Sequence, residues 1–295
     1  MYDSICIPTD GSAIAKHAAR YGISLAQEFD STVQVVSVID ERLFAHQFGR
    51  PEAAAGAYRS EIETQSTDAV AEIETMAMAA GIDTTTDTVA GVPHAVIPAY
   101  VTEHDADLIA MGTHGRTGFD RLLLGSVAER VIRTTTVPVL TTGETTDTNA
   151  DYDDVLVPTD GSKPAMNAVE HGMAIASRTN SRLHVLSVVN LPGISSGLDE
   201  ESSILDLTEQ LSDETEGIVL EIADRGRERG LDVETVIENG TPEEEIVDYA
   251  TQTNIDLIVM GTRGRTGLQR YLLGSTAANV VRHSPSPVMT IASDD

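Results

Sequence analysis

The apolar and polar positions of the chain alternate between two periods. Ser4-Ile-Cys-Ile-Pro-Thr-Asp10 is a short apolar run that suits a buried strand, ending at Asp10-Gly11-Ser12. From about Ala13 to Phe29 the apolar residues recur with a helical period, and Thr32 to Ile39 returns to a strand pattern. A long irregular stretch then leads into an amphipathic helix from roughly Ala54 to Ala80, stopped by Gly81. Thr84 to Val89 is a β-branched third strand, and Val92-Pro-His introduces a helix to about His104. Asp107-Leu-Ile-Ala-Met111 is a fourth strand, Val127 to Arg133 a helix, and Thr136 to Thr141 a fifth strand. The order βαβαβαβαβ demands a parallel sheet with right-handed crossovers and helices on both faces.

The pattern then starts again. Asp154 to Ser162 matches Ser4 to Ser12 at an offset of 150, and Gly172 to Asn190 parallels Gly22 to Asp40. Gly240-Thr-Pro parallels Gly91-Val-Pro, and Ser286-Pro-Val-Met289 parallels Val137-Pro-Val-Leu140, both at an offset of 149. Over the 29 positions from Gly112 to Leu140 the halves share 16 identities, which marks a duplication. Two α/β domains are therefore expected, at residues 1–144 and 151–295, around a small polar linker from Gly143 to Asp151.

The most similar stretch follows the fourth strand of each half: Gly112 to Ser126, GTHGRTGFDRLLLGS, recurs as Gly261 to Ser275, GTRGRTGLQRYLLGS. It joins a strand, ending at Met111 or Met260, to a helix, and in an open α/β sheet ligands bind at such junctions. Gly112 and Gly115, with Gly261 and Gly264, let the backbone turn tightly and approach a bulky anion. Gly125 and Ser126, with Gly274 and Ser275, open the next helix, whose first amides point outward with the positive end of the macrodipole behind them. A phosphate suits that arrangement. The Ser126 hydroxyl either caps the helix or donates to the same anion. A branched side chain at Gly125 or Gly274 is expected to fill the phosphate space and leave the fold intact. The competing explanation, glycines as turn and cap residues, is weakened by the repetition of the whole spacing.

Charge sharpens the picture. Of 17 Arg and 2 Lys, eight Arg fall in two windows of 22 residues: Arg116, Arg121, Arg130 and Arg133, then Arg263, Arg265, Arg270 and Arg282. The first window holds only Asp120 and Glu129 as acids and the second none, in a chain of net charge -28. These are local positive islands fit for a polyphosphate. Elsewhere the dispersed carboxylates suit a salt-rich cytoplasm, where a Debye length of roughly 3 Å at 1 M screens their repulsion. A halophilic source is expected. The thermal midpoint should then rise with KCl concentration, and a protein equally stable in dilute and molar salt would not be halophilic in this sense.

Nucleic acid and anionic membranes are excluded as partners by the same acidity. Cys6, the single cysteine, sits in an apolar strand and gives no disulfide framework or thiolate metal site, and the eight His show no zinc-binding spacing. No metal site is expected. With no basic region or apolar segment ahead of the first strand and no run able to span a bilayer, the chain is expected in the cytoplasm.

Pro8-Thr9-Asp10 and Pro158-Thr159-Asp160 end the first strand of each half, beside the fourth strand and its loop in a sheet that winds outward from strand one. Asp10 can accept hydrogen bonds from ribose hydroxyls, or Asp10 or Ser12 can cap the first helix. Both readings stay open on the residues alone.

A first strand ending in PTDGS, paired with a later G-x2-G-x9-G-S, resembles the universal stress protein family over nearly the whole of both halves. The resemblance implies a doubly wound, Rossmann-like five-stranded sheet of order 3-2-1-4-5 in each half, of the adenine nucleotide alpha hydrolase-like type. It implies ATP across strands one and four, and pairing of domains through their fifth strands. Asp10 and Asp160 would hold ribose, and Val38 and Val188 would offer backbone groups to adenine, unless they are plain strand core. Gly112, Gly115, Gly125 and Ser126 would line the phosphates, as would Gly261, Gly264, Gly274 and Ser275, with amides from Val127 and Thr276. Arg116 and Arg265 lie in the same loops.

The expected function is a tandem stress-response regulator or protective factor that binds ATP, or AMP or ADP, in each half; neither a Mg ion nor a further homodimer is settled by these residues. No general base and no Walker A glycine-lysine pair is present, so hydrolysis should be slow at most and no catalytic residue is assigned. Two alternatives are an adenylating enzyme on the same sheet and a partner-docking module with vestigial sites.

Overall fold

The computed structural model describes residues 1–45, 52–115, 124–143, 150–190, 201–264 and 273–292. Arg116, Arg121, Arg265 and Arg270 lie outside the described residues. Two compact units emerge, Met1–Ala150 and Asp151–Asp295.

In the first unit β1 (Ser4–Pro8), α1 (Ala13–Phe29), β2 (Thr32–Asp40), α2 (Arg42–Ala45), α3 (Glu52–Ala79), β3 (Thr84–Gly91), α4 (Pro93–Glu103), β4 (Leu108–Gly112), α5 (Ser126–Thr134) and β5 (Val139–Thr142) follow in order. The second repeats the scheme with β6 (Asp154–Pro158), α6 (Lys163–Thr179), β7 (Arg182–Val189), α7 (Glu201–Glu228), β8 (Val233–Asn239), α8 (Pro242–Gln252), β9 (Leu257–Gly261), α9 (Ser275–His283) and β10 (Val288–Ile291). The strand orders are β3-β2-β1-β4-β5 and β8-β7-β6-β9-β10, that is 3-2-1-4-5 in each unit, with parallel pairing throughout. The fold is the one the sequence pattern and the family resemblance imply.

Burial explains why these segments became strands and helices. β1 is buried along its length, with Ile5, Cys6 and Ile7 at 0% exposure, whereas the edge strand β3 alternates and is largely threonine. α1 buries Ile14, Ala15, Ala18, Ala19, Tyr21, Gly22, Leu25 and Ala26, a stripe at the spacing of one helix face. Its start is capped by Ser12, whose Oγ accepts the Ala15 amide at 3.2 Å, and it ends on Asp30 in the left-handed region at φ 56°. Ser162 and Asn180 do the same for α6. Asp and Asn tolerate that conformation better than other side-chain-bearing residues.

Two boundaries differ from the periodicity. The irregular stretch after β2 contains α2, started by Asp40, whose Oδ1 accepts the Arg42 amide at 3.0 Å. The Arg42 guanidinium holds that carboxyl below its usual range. β5 begins at Val139 rather than Thr136, because Pro138 has no amide to donate to a ladder and only its carbonyl accepts, from Ile109.

Cys6 lies in the middle of β1, and burial pushes its thiol up to about 12. It is expected to resist thiol reagents at mildly alkaline pH until the protein unfolds, because the thiolate is the reactive form. Rapid labelling of the native chain would show that β1 opens locally.

Candidate functional site

The site forms where β1, β2 and β4 end and α1 and α5 begin. β1 lies between β2 and β4, so the turn after β1 and the loop after β4 are neighbours. Pro8 closes β1 and is buried. Thr9, 5% exposed, hydrogen-bonds through its amide to the Val36 carbonyl, and its Oγ1 accepts the Gly11 amide at 3.1 Å. Asp10 Oδ1 accepts the Ser12 amide at 2.9 Å. Of the two candidate caps, Ser12 therefore performs the capping, and the Asp10 carboxylate is held in the turn above the strand end. Pro158, Thr159 and Asp160 repeat the arrangement, with the Gly161 amide at 3.1 Å and the Ser162 amide at 3.0 Å.

The loop glycines prove to be spaces for particular neighbours. A Cβ on Gly112 would lie 2.8 Å from the Ile14 side chain and 3.2 Å from the Ala15 nitrogen, and one on Gly261 3.0 Å from the Pro164 backbone. These glycines let the end of β4 or β9 slide under the first turn of α1 or α6. A Cβ on Gly115 would lie 2.5 Å from Asp10 Oδ2, and one on Gly264 2.7 Å from Asp160 Oδ2. The bare backbone at Gly115 thus gives room to the Asp10 carboxylate, a neighbour 105 positions away in the chain.

Gly125 corrects the expectation of an empty phosphate space. Its amide donates to the Thr113 carbonyl at 2.9 Å, and a Cβ would meet that same oxygen at 2.6 Å. Gly274 and the Thr262 carbonyl repeat the bond at 2.8 Å, with the Cβ contact at 3.1 Å. A branched side chain there would strain the loop closure, so an undisturbed fold is not expected. Thr113 and Thr262 are residues the sequence reading passed over, though both halves carry the Gly-Thr pair. Both are buried, at 4% and 6%, and their amides are tied to the Thr142 and Ile291 carbonyls. Each clamps the two ends of the loop together.

Gly125 is also the N-cap of α5, extended at φ -60° and ψ 141°, and it supplies no side-chain cap. Gly274 stands the same way before α9. Ser126 and Ser275 are thus the first helical residues, both exposed, and not caps as one sequence reading allowed. Val127 and Thr276 follow, half-buried in the first turn. The first helical amides meet no capping side chain from Gly125 or Gly274, which leaves an anion-compatible positive end beside the Asp10 or Asp160 turn.

Met111 and Met260 are 5% exposed, so their side chains belong to the core and only their backbone borders the loop. Val38 and Val188 lie near the ends of β2 and β7, half-exposed and paired with Val89 and Glu238. Arg130 is exposed on α5, its Nη1 2.8 Å from His94 Nε2 at the start of α4. Burial first, and Arg130 beside it second, hold His94 below its ordinary value.

The profile of the universal stress protein family matches residues 1–142 and again residues 151–292. The chain belongs to the universal stress protein family. Shorter members match about half of the chain. Universal stress protein MJ0531 of Methanocaldococcus jannaschii is 40% identical over 141 residues, which is 48% of this chain and 81% of that protein. Universal stress protein MJ0577 of the same organism is 31% identical over 48% of this chain and 94% of its own length. A universal stress protein from Archaeoglobus fulgidus, known from its crystal structure, is 26% identical with a TM-score of 0.69, over 99% of this chain and 97% of that one. This universal stress protein therefore carries two family units in tandem. Among its described residues no helix is long and apolar enough to cross a membrane.

Proposed function

We propose that each half binds an adenine nucleotide, ATP before ADP or AMP, and that the chain is a cytoplasmic stress-response regulator whose state follows that occupancy, with at most slow hydrolysis. The observation that carries this reading is the meeting of Asp10 with Gly115 beside an α5 start that has no side-chain cap, repeated by Asp160, Gly264 and α9. One end of the site offers carboxylate acceptors to sugar hydroxyls, and the other offers backbone amides to phosphoryl oxygens. Those are the two needs of a mononucleotide, set side by side by the strand order.

One similar universal stress protein was solved in complex with cAMP; for this chain the reading rests on its own residues. Asp10 and Asp160 would orient ribose, the loop backbone from Gly112 to Gly115 and from Gly261 to Gly264 would pass close to the phosphates, and Ser126 and Ser275 would donate hydroxyls to them. Each carboxylate already holds a backbone amide of its own turn, which fixes its orientation for that task. Turnover is expected well below the roughly 10 per second of a median enzyme.

Native mass spectrometry of the purified chain tests the reading. Two added masses of an adenine nucleotide per chain are expected, and the same spectrum counts chains per particle. A chain that stays free of nucleotide with ATP in excess would end the proposal.

A further inference from the structure

The described ends of the two loops match, but the helix start beside each differs: it carries one imidazole in the first half and three carboxylates in the second. In the first half α4 begins Pro93-His94-Ala95-Val96, and His94 contacts Arg130 of α5. At the same positions of the repeat, offset by 149, α8 begins Pro242-Glu243-Glu244-Glu245. Glu243 reaches across to α9: Asn279 Nδ2 donates to its Oε1 at 3.2 Å, and Thr276 Oγ1 approaches its Oε2 at 3.5 Å. Asn279 occupies the place of Arg130, and Thr276 that of Val127.

The surrounding charges do not cancel this contrast. Near the first pocket Asp40 and Arg42 pair with each other at 2.6 Å, Glu129 lies 3.8 Å from Arg133, and His94 is biased toward its neutral form, so Arg130 remains as the added cation. Near the second, Arg263 in place of His114 and Lys163 in place of Ala13 add two cations, against the three carboxylates of Glu243, Glu244 and Glu245. A carboxylate docked on the first turn of a helix is stabilised by the same dipole end that attracts a phosphate. Glu243 is thus a resident anion against the first two turns of α9, beside the place where a ligand's phosphates would settle.

We infer that Glu243 makes the second pocket the weaker of the two for a polyphosphate and that Arg130 makes the first the stronger, so that one chain reads two ranges of nucleotide concentration. This rests on the nucleotide reading above and adds the rank order of the two sites. An anion at a helix start is worth enough to set the affinities about three- to tenfold apart.

Isothermal titration calorimetry of the full chain with ATP tests it. The parent chain should show two classes of site. Glu243→Gln keeps the shape and an acceptor oxygen for Asn279, and should tighten the weaker class; Glu243→Lys should tighten it further. Arg130→Ala should weaken the tighter class, and the gap should shrink as KCl is raised. A series in which Gln and Lys leave the weaker class unchanged, or loosen it, would overturn the inference, since the carboxylate would then be neutral toward the ligand or would help hold it. If ATP binds neither half, the nucleotide reading itself fails. If both halves bind it with one affinity, that reading stands and the inference falls.

Discussion

Gly125→Val combined with Gly274→Val is expected to abolish nucleotide binding in both halves. A Cβ at Gly125 would stand 2.6 Å from the Thr113 carbonyl oxygen, and a backbone oxygen cannot rotate away as a side chain can. The strand end and the helix start must separate, which breaks the Gly125 amide to Thr113 bond of 2.9 Å and swings the first amides of α5 off their aim. An amide bond to a charged group is worth about 1.5 to 3 kcal/mol, so losing two of them weakens binding roughly a hundredfold or more. The overpacked contact itself costs about 1 to 3 kcal/mol of stability. That cost should be larger for Gly125→Val alone than for Gly274→Val alone, because the second contact is 3.1 Å and relaxes with a smaller shift. Calorimetric titration with ATP and thermal melts of the three variants check both halves of the expectation. Retained affinity in the double variant would remove the loop from the site.

The second large effect falls on the fold. Gly172 in the middle of α6 faces Val157 of β6, and a Cβ there would lie 2.3 Å from Val157 Cγ2, a side chain with no exposed surface. Helix propensity alone would favour Gly172→Ala by roughly 0.5 to 1 kcal/mol. Overpacking opposes it by about 1 to 3 kcal/mol. The contact is short and its partner is locked in the core, so packing wins and Gly172→Ala should destabilise the chain, with Gly172→Val worse. Gly22→Ala in α1 should behave alike, since its Cβ would lie 2.7 Å from Ala110 Cβ. Gly217→Ala in α7 is the control: nothing lies within 4 Å of its Cβ, so propensity alone acts and the chain should gain stability. Chemical denaturation of the four variants gives the signs. A stabilised Gly172→Ala would mean that α6 does not sit as close to β6 as the geometry requires.

These expectations mark where sequence reading stops. Sequence pattern was enough for the duplication, the alternation of strand and helix, and the place of the glycine loops at strand ends. Burial writes period into sequence: a run along β1 that is apolar but for Ser4, and an apolar stripe on one face of α1, leave a record that needs no coordinates. The family resemblance brought Asp10 near the loop, through the strand order it implies.

The partners of the glycines were not readable, because a missing Cβ says that something comes close without saying what. Folding decided that Gly115 faces the Asp10 carboxylate, that Gly125 closes on the Thr113 carbonyl, and that Gly125, not Ser126, is the N-cap of α5. The contact of Glu243 with Asn279 and Thr276 is of the same kind. It joins two helix starts more than thirty positions apart, and only the packing of α8 beside α9 sets that carboxylate on that turn. Periodicity and composition settle what must be buried; which atoms then meet is settled by the path of the backbone, and in this protein those meetings shape both pockets.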